Sequence, residues 1–215
     1  MFIDSTIIPL FPTLVWKFEL SPQVYEPLNT RLALEIERLL SPRPLLEPGR
    51  IWQTHHDLHT KEEFEEVNSI IHQGVGKVLD VLGVESLPIQ VTGCWANISP
   101  PMSPHDRHHH PNNFLSGIYY VRTPDGADGI TFHDPREGIY NIWPRIRQHN
   151  IYNTPHIRLE VKAGSLLIFP SWAKHSVPVN RSKYERISIA FNVMFSSFSQ
   201  SISPPAWTGI NTAAK

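Results

Sequence analysis

The sequence predicts a mainly β domain, a sandwich or a barrel, preceded by two helices. From Leu87 onward the chain falls into short apolar runs separated by turn-forming residues, which is typical of such folds. Twenty prolines and eleven glycines in 215 residues indicate many turns and few long helices. A single all-β domain of this length is common. We therefore expect residues 1–215 to form one domain.

The N-terminal part, residues 1–86, is expected to pack on the β core. Weak apolar alternation within residues 7–20 predicts an entering strand. Ser21 and Pro22 are a favourable N-cap and first-turn pair. Apolar residues then recur at helical spacing as far as Ser41, which predicts an amphipathic first helix.

A second helix is predicted further along the same part. Thr60 and Glu63 have the spacing of a capping box, so we expect this helix to begin at Thr60. Its apolar face continues to a stop near Gly83. Residues 51–54 predict a short strand between the two helices.

Residues 87–195 are predicted to be the β core. The expected strands are Ile89–Ile98, Leu115–Arg122, Gly129–Phe132, His156–Lys162, Ser165–Phe169, His175–Val179 and Arg186–Met194. Residues 135–155 show no clear period and are expected to form an inserted loop or lid. Residues 196–215, rich in Ser and Pro, are expected to be a tail that drapes over the domain or frays.

Composition narrows the class of protein. A formal net charge of -1, with 40% hydrophobic and 18% charged residues, favours a folded domain and gives no sign of nucleic-acid binding. We see neither a signal peptide nor a membrane span. The only cysteine, Cys94, favours a reducing compartment and hence a cytoplasmic protein. We expect Cys94 to be a small buried core residue.

A histidine-rich run precedes the second core strand. If this segment is extended, alternate side chains share a face about 7 Å apart. His108 and His110 then point together, with Asp106 on the same face and His109 on the other. Two imidazoles can chelate a divalent metal. A merely solvated loop is the alternative.

A third ligand has to come from elsewhere, and His175 is the candidate. It follows the apolar run 166–169 and the turn Pro170-Ser-Trp, so it lies at the mouth of a predicted hairpin. A histidine at a strand start can equally be a surface or hydrogen-bonded residue.

Arg186 and Ser188 share one face of the last core strand. A buried arginine needs an anionic partner, and a guanidinium beside a hydroxyl suits a carboxylate. The alternative is an ordinary ion pair with Asp134 or Glu160.

Taken together and in order, these motifs resemble a known family. They are His108-x-His110-Pro-Asn-Asn-Phe-Leu-Ser-Gly-Ile-Tyr-Tyr-Val, Phe132-x-Asp-Pro-Arg136, Leu-Ile-Phe-Pro-Ser-Trp-x-x-His175 and Glu185-Arg-Ile-Ser-Ile-Ala-Phe-Asn192. Over roughly residues 91–195 the chain is similar to the 2OG-Fe(II) oxygenases of bacteria and phages, within the 2-oxoglutarate/Fe(II) dioxygenase superfamily.

The resemblance implies a double-stranded β-helix, the jelly roll also found in cupins, with Fe(II) at one end. It implies an oxygenase, most simply a hydroxylase, that converts 2-oxoglutarate into succinate and CO2. The far carboxylate of 2-oxoglutarate would lie on Arg186 and Ser188. Strand parity makes Tyr120 a further candidate contact for this carboxylate, together with Asn97 on the preceding strand.

One departure from the superfamily concerns the metal ligands. The usual pattern is His-x-Asp/Glu with a distant histidine, but His110 occupies the carboxylate position here. Either His108, His110 and His175 bind the metal, or Asp106 or Asp134 enters the shell. Three neutral ligands also make zinc or nickel harder to exclude.

Two other functions stay open from the sequence. One is a metal-dependent cupin-type enzyme that does not use 2-oxoglutarate, and the other is a non-catalytic jelly-roll binding module. We expect a small-molecule or peptide substrate, no nucleic acid and no membrane, and the oligomeric state is open. The substrate would be selected by the N-terminal helices and by the lid, with Tyr140, Trp143, Arg145, Arg147 and Tyr152. His55, His56 and His59 either line the entrance or belong to a solvated loop.

Overall fold

The computed structural model describes residues 1–85, 87–136, 142 and 144–201. Its strands are β1 (Trp16–Glu19), β2 (Trp52–Gln53), β3 (Ile89–Ser99), β4 (His105–His108), β5 (Leu115–Arg122), β6 (Gly129–His133), β7 (His156–Glu160), β8 (Ser165–Pro170), β9 (His175–Val177) and β10 (Arg186–Phe195). Its helices are α1 (Pro22–Leu39), α2 (Glu65–Val81) and α3 (Ser196–Ser201). The seven predicted core strands are all present, and their ends shift by a few residues at most.

The strands form two antiparallel sheets. The larger has six strands in the order β1-β8-β5-β10-β3-β2, and the smaller has four in the order β4-β9-β6-β7. Strands far apart in the chain are neighbours, so β10 lies between β3 and β5. This neighbourhood brings Asn97, Ser188 and Tyr120 side by side, because Ser188 is in register with both of the others.

The larger sheet is buried on both faces. Tyr119 belongs to the cluster formed with the helices, around Leu28 and Val75. Tyr120, the next residue, belongs to the cluster between the sheets, around Ile130. Successive side chains of a strand point to opposite faces, which explains why β5 is apolar almost without interruption.

The first helix docks on the larger sheet through hydrogen bonds as well as apolar contacts. The Asn29 amide donates to the Val121 carbonyl oxygen at 2.9 Å, and the Tyr119 hydroxyl donates to Asn29 Oδ1 at 2.7 Å. Helix α1 begins at Pro22 after Ser21, as the sequence predicts. The expected start of the second helix is wrong.

Two 3-10 turns, Leu58–Thr60 and Glu62–Phe64, precede α2. The Thr60 hydroxyl donates backward to the Asp57 carbonyl oxygen at 2.7 Å. The N-cap residue of α2 is Phe64, and no side-chain hydrogen bond caps this helix. The expected capping box is therefore absent, and α2 begins at Glu65. Its end at Val81 agrees with the predicted stop near Gly83.

The peripheral segments differ more from expectation. The entering strand is confined to Trp16–Glu19, at the edge of the larger sheet. Of the expected lid, Arg145, Arg147 and Tyr152 are exposed, whereas Tyr140 and Trp143 lie outside the described residues, as does the tail beyond Ser201. Within the described part, none of the helices combines the length and hydropathy needed to span a bilayer.

Candidate metal and co-substrate site

Three histidines converge between the two sheets. His108 ends β4, His175 opens β9, and the two are in register across the small sheet. His110 follows β4, and its backbone N–H donates to the Ser171 carbonyl oxygen at 2.9 Å. One ring nitrogen from each histidine lies within 4.8 Å of the other two. This spacing suits a single divalent cation held by three imidazoles.

Backbone carbonyls orient two of these rings. His108 Nδ1 lies 2.7 Å from the Asp106 carbonyl oxygen, and His175 Nδ1 lies 2.9 Å from the Ala173 carbonyl oxygen. A carbonyl can only accept, so each Nδ1 carries the proton. Both Nε2 atoms are then left as lone-pair donors, which is the usual arrangement of metal-binding histidines.

Burial keeps His110 and His175 uncharged. It lowers the pKa of His110 to about 3 and that of His175 to about 4, with neighbouring histidines adding to the effect at both residues. Only a neutral imidazole can donate its lone pair to a metal. At neutral pH these two imidazoles are therefore ready to bind a cation.

A β-bulge changes the side-chain alternation that the sequence suggested. His105 is in register with Val177 and His108 with His175, so three steps along β4 match two along β9. The rings of His105 and His108 consequently stack, with centroids 4.4 Å apart. The expectation that Asp106 shares the face of His108 is wrong, because Asp106 is exposed.

The other carboxylate considered for the metal shell is engaged elsewhere. Asp134 pairs with Arg136 at 2.5 Å, and among the described residues the only potential metal-binding group is the three-histidine group. His109 is exposed, in agreement with the expectation that it points away from the site.

Arg186 is buried in the same pocket without an acidic partner among the described residues. It is 2% exposed, and the two carboxylates suggested as partners belong to other arginines, Asp134 to Arg136 and Glu160 to Arg158. Its guanidinium donates to the Gly129 carbonyl oxygen at 3.0 Å and lies 5.1 Å from the centre of the Tyr120 ring. The ordinary ion pair considered from the sequence is therefore absent from the described part of the chain.

Two buried polar atoms at this position have no hydrogen-bond partner among the described residues. They are Arg186 Nε and the Tyr120 hydroxyl. Burial lowers the pKa of Arg186 and raises that of Tyr120 to about 12. A buried donor without an acceptor is unfavourable, and a carboxylate at this place would satisfy both. Ser188 and Asn97 line the same pocket.

Besides apolar residues, three pocket residues with polar side-chain atoms were missed from the sequence. His105, Trp95 and Ser99 line the pocket beside the predicted residues. Regular alternation would place His105 on the face opposite to His108, and the bulge that brings them together cannot be seen in a sequence. Ser99 and Trp95 share the strand and parity of Asn97, so extending the parity argument along β3 would have found them. Of the loop histidines His55, His56 and His59, His56 lies near the site, and its ring stacks on that of Trp95 with centroids 4.3 Å apart.

Comparison with known proteins agrees with this geometry. Residues 93–192 match the family model described as "Putative 2OG-Fe(II) oxygenase". They form a 2OG-Fe(II) oxygenase domain. Enzymes of this family depend on Fe(II) and 2-oxoglutarate, which are thus the cofactors of this oxygenase. The match favours the predicted function over the cupin-type and non-catalytic alternatives.

Solved structures resemble the oxygenase in fold. They include SnoN, an α-ketoglutarate-dependent epimerase of nogalamycin biosynthesis (12% identity, 83% of this chain and 78% of that chain, TM-score 0.60). HygX from Streptomyces hygroscopicus, solved with nickel, 2-oxoglutarate and hygromycin B, has 13% identity, coverages of 86% and 84%, and a TM-score of 0.59. A Pseudomonas putida prolyl-4-hydroxylase has 16% identity, coverages of 84% and 92%, and a TM-score of 0.54.

These similarities confirm the predicted double-stranded β-helix. Among curated proteins, no sequence matches the oxygenase significantly.

Proposed function

We propose that this oxygenase is a hydroxylase whose Fe(II) is held by His108, His110 and His175. The observation that carries the proposal is the place of Arg186. A buried guanidinium with an unpartnered Nε lines the same pocket as the three imidazoles. A cation site beside an unpaired buried arginine suits a ligand with one metal-binding end and one anionic end, as 2-oxoglutarate has.

Each residue has a distinct task in this proposal. When bound, Fe(II) and 2-oxoglutarate would supply the oxidising chemistry with O2 as the oxidant, and succinate and CO2 would be the co-products. The three histidines hold the metal through neutral nitrogens. Arg186 and Ser188 bind the far carboxylate of 2-oxoglutarate, and the Tyr120 hydroxyl and the Asn97 amide orient it.

A neutral set of metal ligands makes binding of an anionic co-substrate more favourable. Three imidazoles leave the full charge of a divalent cation in a buried pocket, whereas a ligand set with a carboxylate would cancel part of it. A doubly negative co-substrate balances this charge in the low-dielectric interior. We therefore expect metal and 2-oxoglutarate to increase each other's affinity.

The first experiment measures succinate formed from 2-oxoglutarate by protein loaded with Fe(II) in the presence of ascorbate. We expect His175→Ala to abolish turnover and metal binding, since it removes one of three ligands. His109→Ala is the matched control, because His109 belongs to the same histidine run but is exposed. Equal losses in the two variants would contradict the ligand assignment.

A second experiment tests hydroxylation itself. Small-molecule and peptide extracts are incubated with the oxygenase under 18O2, and products are identified by mass. A hydroxylase leaves one labelled oxygen in the product. A product that forms only when 2-oxoglutarate is present but contains no label would rule out hydroxylation and leave the oxygenase class intact.

A further inference from the structure

A stacked pair of rings, His56 and Trp95, stands beside the metal site on the side away from Arg186. The Trp95 ring centre lies 5.9 Å from that of His110, and His56 covers Trp95 with planes 20° apart. His105, at the other side, stacks on His108 and interacts electrostatically with Arg186. The three-histidine group thus has Trp95 beside His110 and His105 beside His108.

Strand register explains this division of the pocket. Across β3, β10 and β5, one row of side chains consists of Asn97, Ser188 and Tyr120. Two residues along each strand, about 7 Å away, the next row consists of Trp95, Ala190 and Ile118. The first row is polar, whereas the second is apolar except for the indole N–H of Trp95 and has a small residue between two large ones.

This second row lines the pocket and has one polar side-chain atom, the indole nitrogen of Trp95. Ala190, with its single methyl group, lies between the larger side chains of Trp95 and Ile118. Trp95 is 6% exposed, and its indole N–H has no acceptor among the described residues. A buried donor of this kind is satisfied by a ligand oxygen. Trp95, Ile118 and Ala190 carry no charge that could select a charged ligand.

The loop that carries His56 is fastened to the same strand. The Cys94 backbone N–H donates to the His56 carbonyl oxygen at 3.0 Å. The next residue, Asp57, forms a backbone β-bridge with Cys94 and an ion pair with Lys61 at 3.1 Å. His56 itself is exposed. The rings of His56 and Trp95 therefore form a wall that is fixed by backbone contacts and extends from solvent to His110.

We infer that the wall of His56 and Trp95, together with the pocket residues Ala190 and Ile118, binds the substrate that is oxidised. The substrate is a neutral cyclic molecule. Its apolar face lies on the rings, and one of its oxygens accepts a hydrogen bond from the Trp95 indole. This inference rests on the proposed function and adds the chemical class of its substrate.

The test uses full-length protein loaded with Zn(II) and 2-oxoglutarate, so that ligands bind without turnover. Its six tryptophans give indole N–H signals in 15N NMR spectra, and Trp95→Phe identifies the Trp95 signal. The probes are a panel of small cyclic polyols, ethers and lactams, each paired with a carboxylate derivative. One such pair is methyl β-D-glucopyranoside and methyl β-D-glucuronide.

We expect neutral probes to move the Trp95 signal downfield and to bind more tightly than their charged partners. Trp95→Phe keeps an aromatic side chain, although a smaller one, and removes one hydrogen bond, so it should weaken the binding of these probes roughly 3- to 10-fold. Trp172→Phe is the matched control, since Trp172 is 51% exposed, and it should leave the affinity unchanged.

Three outcomes would overturn the inference: a Trp95 signal that no neutral probe moves, charged probes that bind more tightly than neutral ones, or equal probe affinity in wild type and Trp95→Phe. If Trp95→Phe does not fold, His56→Ala replaces it in the test and should also weaken the binding of the neutral probes. Failure of the proposed function is recognised separately, because the Zn(II) protein would then not bind 2-oxoglutarate in calorimetry.

Discussion

Replacing Arg186 by leucine separates a ligand-binding arginine from a structural one. Arg186 is buried, donates to the Gly129 carbonyl oxygen, and makes no ion pair within the described residues. If its partner is the far carboxylate of 2-oxoglutarate, the variant loses the co-substrate but keeps the fold. If its task is to stabilise the fold, the variant unfolds more easily.

The expected magnitudes differ enough to decide between these outcomes. Losing charge-assisted hydrogen bonds to a buried carboxylate removes about 3 kcal/mol of binding free energy. This loss lowers the affinity for 2-oxoglutarate roughly a hundredfold. In the ligand-free protein, the variant loses one hydrogen bond and a cation–π contact worth about 2 kcal/mol. It also removes an unpaired buried charge that costs several kcal/mol, so we expect the free energy of unfolding to change by less than about 2 kcal/mol.

Calorimetry with Zn(II)-loaded protein measures the affinity for 2-oxoglutarate, and urea unfolding of the metal-free protein measures stability. Arg122→Leu is the matched control, because Arg122 ends the neighbouring strand β5 but is exposed. An affinity of Arg186→Leu within threefold of wild type would refute the co-substrate assignment. A loss of about 3–5 kcal/mol in unfolding free energy, as for a broken buried ion pair, would refute the argument that this charge has no protein partner.

Two further predictions concern stability. A Cβ on Gly117 would lie 2.5 Å from the Leu167 carbonyl oxygen, so Gly117→Ala should destabilise the protein by more than about 3 kcal/mol. A Cβ on Gly76 of α2 would meet no other atom, so Gly76→Ala should stabilise the protein by roughly 0.5–1 kcal/mol. Equal shifts of the melting temperature in the two variants would contradict both expectations. Burial lowers the pKa of His110 and His175 in the folded state, so the unfolded state binds more protons and the metal-free protein should lose stability as pH falls below about 6.5. Urea midpoints that stay constant from pH 7 to pH 5 would count against burial of neutral histidines.

Sequence patterns predicted the strands of the β core well, because the apolar run that marks each strand consists of residues that are consecutive in the chain. The run Leu115–Arg122 is the strand β5 from its first residue to its last, since a strand buried on both faces is a continuous apolar run. The start of α2 was predicted less well. Thr60 bonds to Asp57, a local alternative to helix capping that the same spacing permits.

For the candidate site, the sequence by itself determined the residue types, their order and the family. His108, His110, His175, Arg186 and Ser188 follow from ordered motifs, and the family match covers the same region. Tertiary structure decided which side chains share the pocket, because a bulge in β4 and the register of three strands cannot be derived from local spacing. The bulge placed His105 beside His108 and moved Asp106 out of the site. Strand register placed Trp95 one row beyond Asn97, next to the histidines that the sequence had already indicated.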